Sequence, residues 1–156
     1  MSQPLSLSFD ECRDLLEGGV VGRVAMATPV GPRIVPVNYA VHDNAIVFRT
    51  APYSQLGTYA GDNELAFEVD HFDYESHQGW SVVATGRGRV VDDHDEIQVI
   101  RKGWGPRPWA AGVRNLYLKL VWRELTGVRL GADWTRESMM PQRRTVDSRL
   151  DAQATP

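Results

Sequence analysis

Apolar and polar residues alternate through most of the chain, a pattern typical of strands that bury one face. In residues 33–41, for example, Val35, Val37 and Tyr39 share one face. The alternation predicts six strands, at residues 20–27, 33–41, 46–50, 64–71, 80–91 and 116–128. Because Pro36 has no N–H to donate, we expect the second strand to lie at a sheet edge or to be locally distorted.

Three short helices are predicted between or before these strands. Ser8 and Glu11 have capping-box spacing at the start of the first, which should end at Gly18. The second begins at Ser54, and the third covers residues 93–101. The strands are joined by short connections, without the alternating strand–helix order of a dinucleotide fold. The fold class predicted is therefore mainly β, a small barrel with a few short helices.

Residues 103–112 interrupt the pattern with three glycines, two prolines and two tryptophans. This composition predicts an ordered aromatic loop or a lid. Periodicity ends after Gly131. We therefore expect one domain over residues 1–132 and an extended or mobile tail over residues 133–156, which could lie on a partner subunit.

Composition narrows the classes of partner. The net charge of −3 argues against a nucleic-acid partner, which would require clustered positive charge. Cys12 is the only cysteine, which excludes an intrachain disulfide, and its helical spacing predicts a buried position. The N-terminus has no basic start followed by an apolar run, and no segment reaches membrane-spanning length. We expect a cytoplasmic protein with no membrane partner.

The junction between the third strand and the second helix predicts an anion site. Arg49 and Thr50 end the strand, Pro52 makes a turn, and Ser54 starts the helix. This order gathers a guanidinium, two hydroxyls and the N–H groups of a helix start, all of which favour an anion. A phosphorylated planar cofactor is expected to lie across the hairpin that precedes the helix.

Other chemistry finds less support in the sequence. Asp70, His71, Asp73 and His77 lack the spacing of a ligand set, so no metal site is predicted. Hydrolase nucleophile motifs are absent, and Ser81 lies in a strand with no base suggested near it. No residue is therefore assigned a catalytic role.

Four segments together resemble a known family, the pyridoxamine 5′-phosphate oxidase-like split-barrel proteins. They are Val37-Asn38-Tyr39, Phe48-Arg49-Thr50 with the later Ser54, the run from Gly79 to Arg87, and Arg107-Pro108-Trp109-Ala110. Within the family the chain is most similar to the small actinobacterial-type members, which include the nitroimidazole-reductase-related branch. The resemblance covers residues 5–131.

The resemblance implies a homodimeric, six-stranded antiparallel Greek-key split barrel that binds FMN, or alternatively F420, at the dimer interface. One or more of the closing residues would come from the other subunit. The implied cofactor-binding residues are Arg49, Thr50, Ser54 and Gln55 at the phosphate, Val37 and Asn38 at the ring, and Trp80, Ser81 and Trp109 closing the site.

Two departures from the family pattern affect the expected function. Gln55 stands where relatives often carry Lys or Arg, which removes one cation from the phosphate site. The region at residues 128–134 lacks the histidine of the substrate motif found in true pyridoxamine 5′-phosphate oxidases. Oxidation of vitamin B6 is therefore not the expected activity.

Three functions remain open on the sequence. The favoured hypothesis is an FMN- or F420-dependent reductase acting on a small conjugated acceptor, in which the cofactor carries the redox chemistry. The alternative is a non-catalytic module that sequesters or senses a flavin or haem. Haem would make His42, His71, His77 and His94 candidate axial ligands. A third hypothesis is a dimeric interaction domain with no ligand.

Overall fold

A computed structural model describes residues 3–103 and 105–131 of the chain. It contains seven strands and three short helices in these residues. In chain order they are β1 (Leu5–Ser6), α1 (Phe9–Gly18), β2 (Val21–Thr28), β3 (Gly31–His42), β4 (Ala45–Thr50), α2 (Gln55–Tyr59), β5 (Glu64–Asp73), β6 (Gln78–Val91), α3 (His94–Lys102) and β7 (Leu116–Leu130).

The strands form one antiparallel sheet in the order β1-β7-β4-β3-β2-β5-β6, and β6 also pairs with β7. That last pairing closes the sheet into a barrel. The register shifts by one residue between Thr85 and Gly86, where β7 carries an extra residue, Arg123, and bulges. A Cβ atom added at Gly86 would lie 2.0 Å from the carbonyl oxygen of Val121. Glycine is required there because the two backbones approach so closely.

The predicted mainly β fold is confirmed, and all six predicted strands occur in their expected places. The structure adds a seventh strand, β1, in which Leu5 pairs with Arg129 and Ser6 with Val128. Two residues are too short to show a period, so alternation could not predict this strand. The capping box predicted at Ser8 and Glu11 is present at the start of α1.

The barrel interior is filled by side chains that alternate inward from the strands. Tyr39 and Phe67 meet there edge to face, with ring centroids 4.7 Å apart. A second, smaller cluster lies outside the sheet beneath α3 and consists of Val47, Val91, Ile100 and Tyr117. Because Tyr117 projects outward, it can contact residues at the end of β4.

The strand β3 extends beyond its neighbour β4, and this difference in length positions the site. Residues 39–42 of β3 pair with β4, whereas residues 31–38 pair only with β2. The chain after β4 turns away at Pro52 into α2. One edge of β3, including Pro36, is therefore left without a strand partner among the described residues.

None of the helices in the described part of the chain has the length and apolar character needed to cross a bilayer. The predicted tail at residues 133–156 lies outside the described residues, as does Trp104 of the predicted aromatic loop.

Candidate functional site

A cavity of about 320 Å³ lies where β3 separates from α2. This volume is within the range of small-molecule sites, which begins at roughly 300 Å³. Its walls come from β3, the end of β4, α2 and the loop before β7, residues 105–115. The lining residues are Val35, Pro36, Val37, Asn38, Arg49, Thr50, Ser54, Gln55, Leu56, Pro108, Ala110 and Arg114.

Six of the nine residues implied by the family resemblance line this one cavity. They are Val37, Asn38, Arg49, Thr50, Ser54 and Gln55.

The other three implied residues do not line it. Trp80 is buried in the barrel core, with 3% of its surface exposed. Ser81 lies opposite Asp70 on neighbouring strands. Trp109 has 75% of its surface exposed and reaches the site through its backbone alone. Trp109 could close the site only of a second subunit, whereas Trp80 is enclosed by its own core.

The side chain of Asn38 joins the cavity to the loop. Its Oδ1 accepts a hydrogen bond of 2.9 Å from the backbone N–H of Trp109. Since a backbone N–H is always a donor, this contact fixes which end of the amide is oxygen. Nδ2 is buried and has no partner within the described residues. Because an unpaired buried donor is costly, this atom calls for an acceptor from outside the described chain.

The two hydroxyls at the strand–helix junction are occupied by the protein. Ser54 Oγ donates to the carbonyl of Ala51 at 2.8 Å and accepts from the backbone N–H of Gly57 at 3.0 Å. It also lies 2.7 Å from Thr50 Oγ1. Because Ser54 has a single proton, Thr50 must be the donor in that pair. In this arrangement neither hydroxyl has a proton left to donate to an anion.

Two arginines, Arg49 and Arg114, line the same cavity. Arg49 Nε donates to the carbonyl of Arg114 at 2.9 Å, and its guanidinium carbon lies 5.1 Å from the centroid of the Tyr117 ring. Arg114 Nε in turn donates to the carbonyl of Ala110 at 3.4 Å. Each of these hydrogen bonds uses Nε, so the terminal amino groups are not engaged by them. The cavity lining contains no Asp or Glu.

Sequence reasoning missed half of the lining residues. Val35, Pro36 and Leu56 adjoin predicted site residues, so their inclusion follows from the same segments. Pro108, Ala110 and Arg114 lie on the loop, more than 50 residues further along the chain. Pro108 and Ala110 belong to one of the four segments that resemble the family. No periodic pattern in the sequence connects Arg114 with the hairpin.

The residues considered for metal and thiol chemistry do not line this cavity. In residues 3–103 and 105–131, no group of three or more His, Cys, Asp or Glu side chains could hold a metal ion. None of the four histidines lines the cavity. Cys12 is buried in the core, and this burial raises the pKa of its thiol.

The family model described as pyridoxamine 5′-phosphate oxidase matches residues 8–129, almost the whole barrel. The chain belongs to the pyridoxamine 5′-phosphate oxidase family. Its closed antiparallel sheet with three short helices is consistent with the split barrel of that family.

Individual members of the family are similar over most of their length. An uncharacterized Mycobacterium tuberculosis protein is 30% identical over 134 residues, which cover 83% of this chain and 87% of the relative. The solved structure of an FAD-binding protein from Mycobacterium smegmatis is 30% identical, with a TM-score of 0.68, and covers 80% of this chain and 97% of its own. A second M. smegmatis structure, named as an FAD- and haem-binding protein, is 15% identical with a TM-score of 0.63 over 96% of this chain and 80% of its own. At that identity it supports the fold alone.

Proposed function

We propose that this protein binds a flavin nucleotide in the cavity between β3, α2 and the loop, and that it serves as an oxidoreductase for a small conjugated acceptor. FMN and FAD are the flavin nucleotides considered, with the deazaflavin F420 as the alternative. The observation that carries the proposal is a cavity with two arginines and no carboxylate, next to a buried amide that lacks an acceptor.

The charge of the lining supports an anionic ligand. Arg49 and Arg114 are both at the cavity, and neither forms an ion pair with a carboxylate in the described residues. Two cations at one cavity with no carboxylate partner attract an anion, and phosphate suits the planar donors of arginine well. The N–H groups of Gln55 and Leu56, which come first in α2, have no acceptor within the helix.

The rest of the lining supports a flat, largely apolar ligand with polar atoms at its edge. Val35, Pro36 and Val37 form one wall along β3, and Pro108 stands on the loop. Asn38 offers Nδ2 as a donor, so it suits a carbonyl oxygen or an unprotonated ring nitrogen. A flavin ring has both kinds of acceptor. The 30% identical M. smegmatis protein named as FAD-binding supports the same ligand class.

In this proposal the protein binds and orients, while the bound flavin supplies hydride or electron transfer. Arg49, at the end of β4, holds the phosphate end. Asn38 holds the ring edge and, through its other end, keeps the loop against the cavity. Among the described lining residues there is no His, Asp, Glu, Lys, Tyr or Cys that could transfer a proton near neutral pH. A reaction at this site would therefore take its protons from solvent or substrate.

We also propose that the working unit is a homodimer. Several large apolar side chains near the cavity are exposed in the single chain, including Ile34 at 69%, Val113 at 77% and Trp109 at 75%. Apolar groups clustered beside a ligand site are typical of surfaces that a partner covers. Sedimentation velocity tests this part of the proposal, and a purely monomeric protein would contradict it.

Titration of the purified protein with FMN, FAD and F420 tests the ligand. We expect at least one of them to bind in the micromolar range or tighter, as measured by calorimetry. If all three bind no tighter than about millimolar, the proposal is wrong.

The absence of a proton-transferring side chain among the described lining residues favours a second candidate, a non-catalytic flavin carrier. Reduction assays with NAD(P)H or reduced F420 separate the two. Turnover of a nitroaromatic or quinone acceptor supports the enzyme, and flavin binding without turnover of any acceptor supports the carrier.

A further inference from the structure

Arg114, which the sequence did not point to, lines the same cavity as the uncharged Gln55. We propose that Arg114 is the second cationic ligand of the nucleotide's phosphate and replaces the cation absent at position 55. This inference rests on the proposed flavin-nucleotide function, and it names a binding residue on the loop that closes the cavity.

The position of Arg114 supports this role. It lines the same cavity as Arg49 and Gln55 and is partly buried there. Its Nε donates a long hydrogen bond of 3.4 Å to the carbonyl of Ala110, and its own carbonyl accepts from Arg49 Nε at 2.9 Å. These contacts restrict the side chain and the backbone at once. The terminal amino groups remain for a ligand, because no described carboxylate forms an ion pair with Arg114.

The occupied hydroxyls strengthen the argument. Because the protons of Thr50 and Ser54 are donated within the protein, they do not supply the donors that a phosphate needs. Gln55 contributes no charge. Arg49 alone would have to balance the phosphate, and part of its donor capacity goes to the Arg114 carbonyl. A second guanidinium from the loop supplies the missing positive charge and donors, so that the anion lies between two cations.

A consequence is that the phosphate would hold the loop in place. Arg49 comes from the end of β4 and Arg114 from the loop, so an anion bound by both bridges the two segments. The nucleotide would thus close its own site.

The test compares FMN with riboflavin, which has the same ring and no phosphate. We expect Arg114→Gln to weaken FMN binding about tenfold or more and to leave riboflavin affinity unchanged. Arg89→Gln is the matched control, since Arg89 is exposed on β6 and does not line the cavity. Unchanged FMN affinity in Arg114→Gln would overturn the inference, as would an equal loss for both ligands.

A rescue experiment gives a second readout. Adding Gln55→Lys to Arg114→Gln returns a cation to the cavity from the other wall, and we expect it to recover most of the FMN affinity. Failure to recover any would count against a purely electrostatic role and overturn the inference. If the wild-type protein binds neither FMN nor riboflavin, the proposed function itself is wrong, a result distinct from either outcome with the variants.

Discussion

The side-chain oxygen of Asn38 on β3 accepts a hydrogen bond from the backbone N–H of Trp109, 71 residues further along the chain. This contact makes one side chain part of both the cavity wall and the attachment of the loop. It also leaves Nδ2 as a buried donor with no partner in the described residues.

Asn38→Asp should weaken flavin binding about tenfold or more. Aspartate keeps an oxygen for Trp109 but replaces the buried donor with an acceptor, which would face an acceptor on the ring. Calorimetric titration measures the effect, and Asn44→Asp in the exposed turn after β3 is the control. Equal affinity in Asn38→Asp would show that Nδ2 does not contact the ring.

Arg49→Gln should release the loop even without ligand. The substitution removes the hydrogen bond to the Arg114 carbonyl and the stacking on Tyr117. Because a charge-assisted bond contributes roughly 1.5–3 kcal/mol, the open population should rise at least about tenfold. Chymotryptic cleavage after Trp109, followed by mass spectrometry, reports the opening. A cleavage rate equal to that of Arg89→Gln would contradict the prediction.

Tyr39→Phe should lower the free energy of unfolding by about 1 kcal/mol. The Tyr39 hydroxyl donates to the carbonyl of Leu16 in a buried bond of 2.6 Å. That carbonyl also accepts from the Gly19 N–H at 3.3 Å, so the variant loses the Tyr39 bond without leaving the carbonyl unpaired. Urea denaturation measures the change. Tyr74→Phe, at an exposed position, should have no effect.

Glu68 should make stability depend on pH. Burial raises the pKa of its carboxyl above the usual value, against the opposing effect of Arg23 at 2.7 Å. Between the pKa in the unfolded chain and the higher native pKa, the native state holds the proton more often. The contribution of Glu68 to the free energy of unfolding therefore falls as pH rises through this window.

Urea midpoints measured from about pH 4 to pH 7 test this dependence. Glu68→Gln should remove this fall in stability as pH rises. Glu75→Gln, in an exposed turn, should leave it unchanged. The assignment would be contradicted if the urea midpoints of the wild-type protein and of Glu68→Gln changed with pH in the same way.

Local patterns predicted the elements of this fold well. Alternation located the six longer strands, and side-chain caps located the helix starts at Ser8 and Ser54. Which strands pair is a long-range property that no local pattern carries. The pairing of β6 with β7, which closes the barrel, became evident only in the structure.

The candidate site shows the same division. The residues of the hairpin and α2 could be gathered from one segment because they are adjacent in sequence. The role of the Ser54 hydroxyl could not, since the same residue type suits a helix cap and a phosphate ligand, and geometry decides between them. Arg114 joins the cavity through a contact across 65 residues, for which the sequence has no periodic signal.

The unpaired edge of β3 also exposes the protein to aggregation. An unpaired strand edge is a template on which another strand can add, and such additions lead to aggregation. The N–H of Tyr39 points toward β2, where it donates to Val20, so the N–H positions of residues 32, 34, 36 and 38 point to the open side. Two of these four residues are prolines. Pro32 and Pro36 thus leave the edge accessible to a small molecule while denying a foreign strand its ladder of hydrogen bonds.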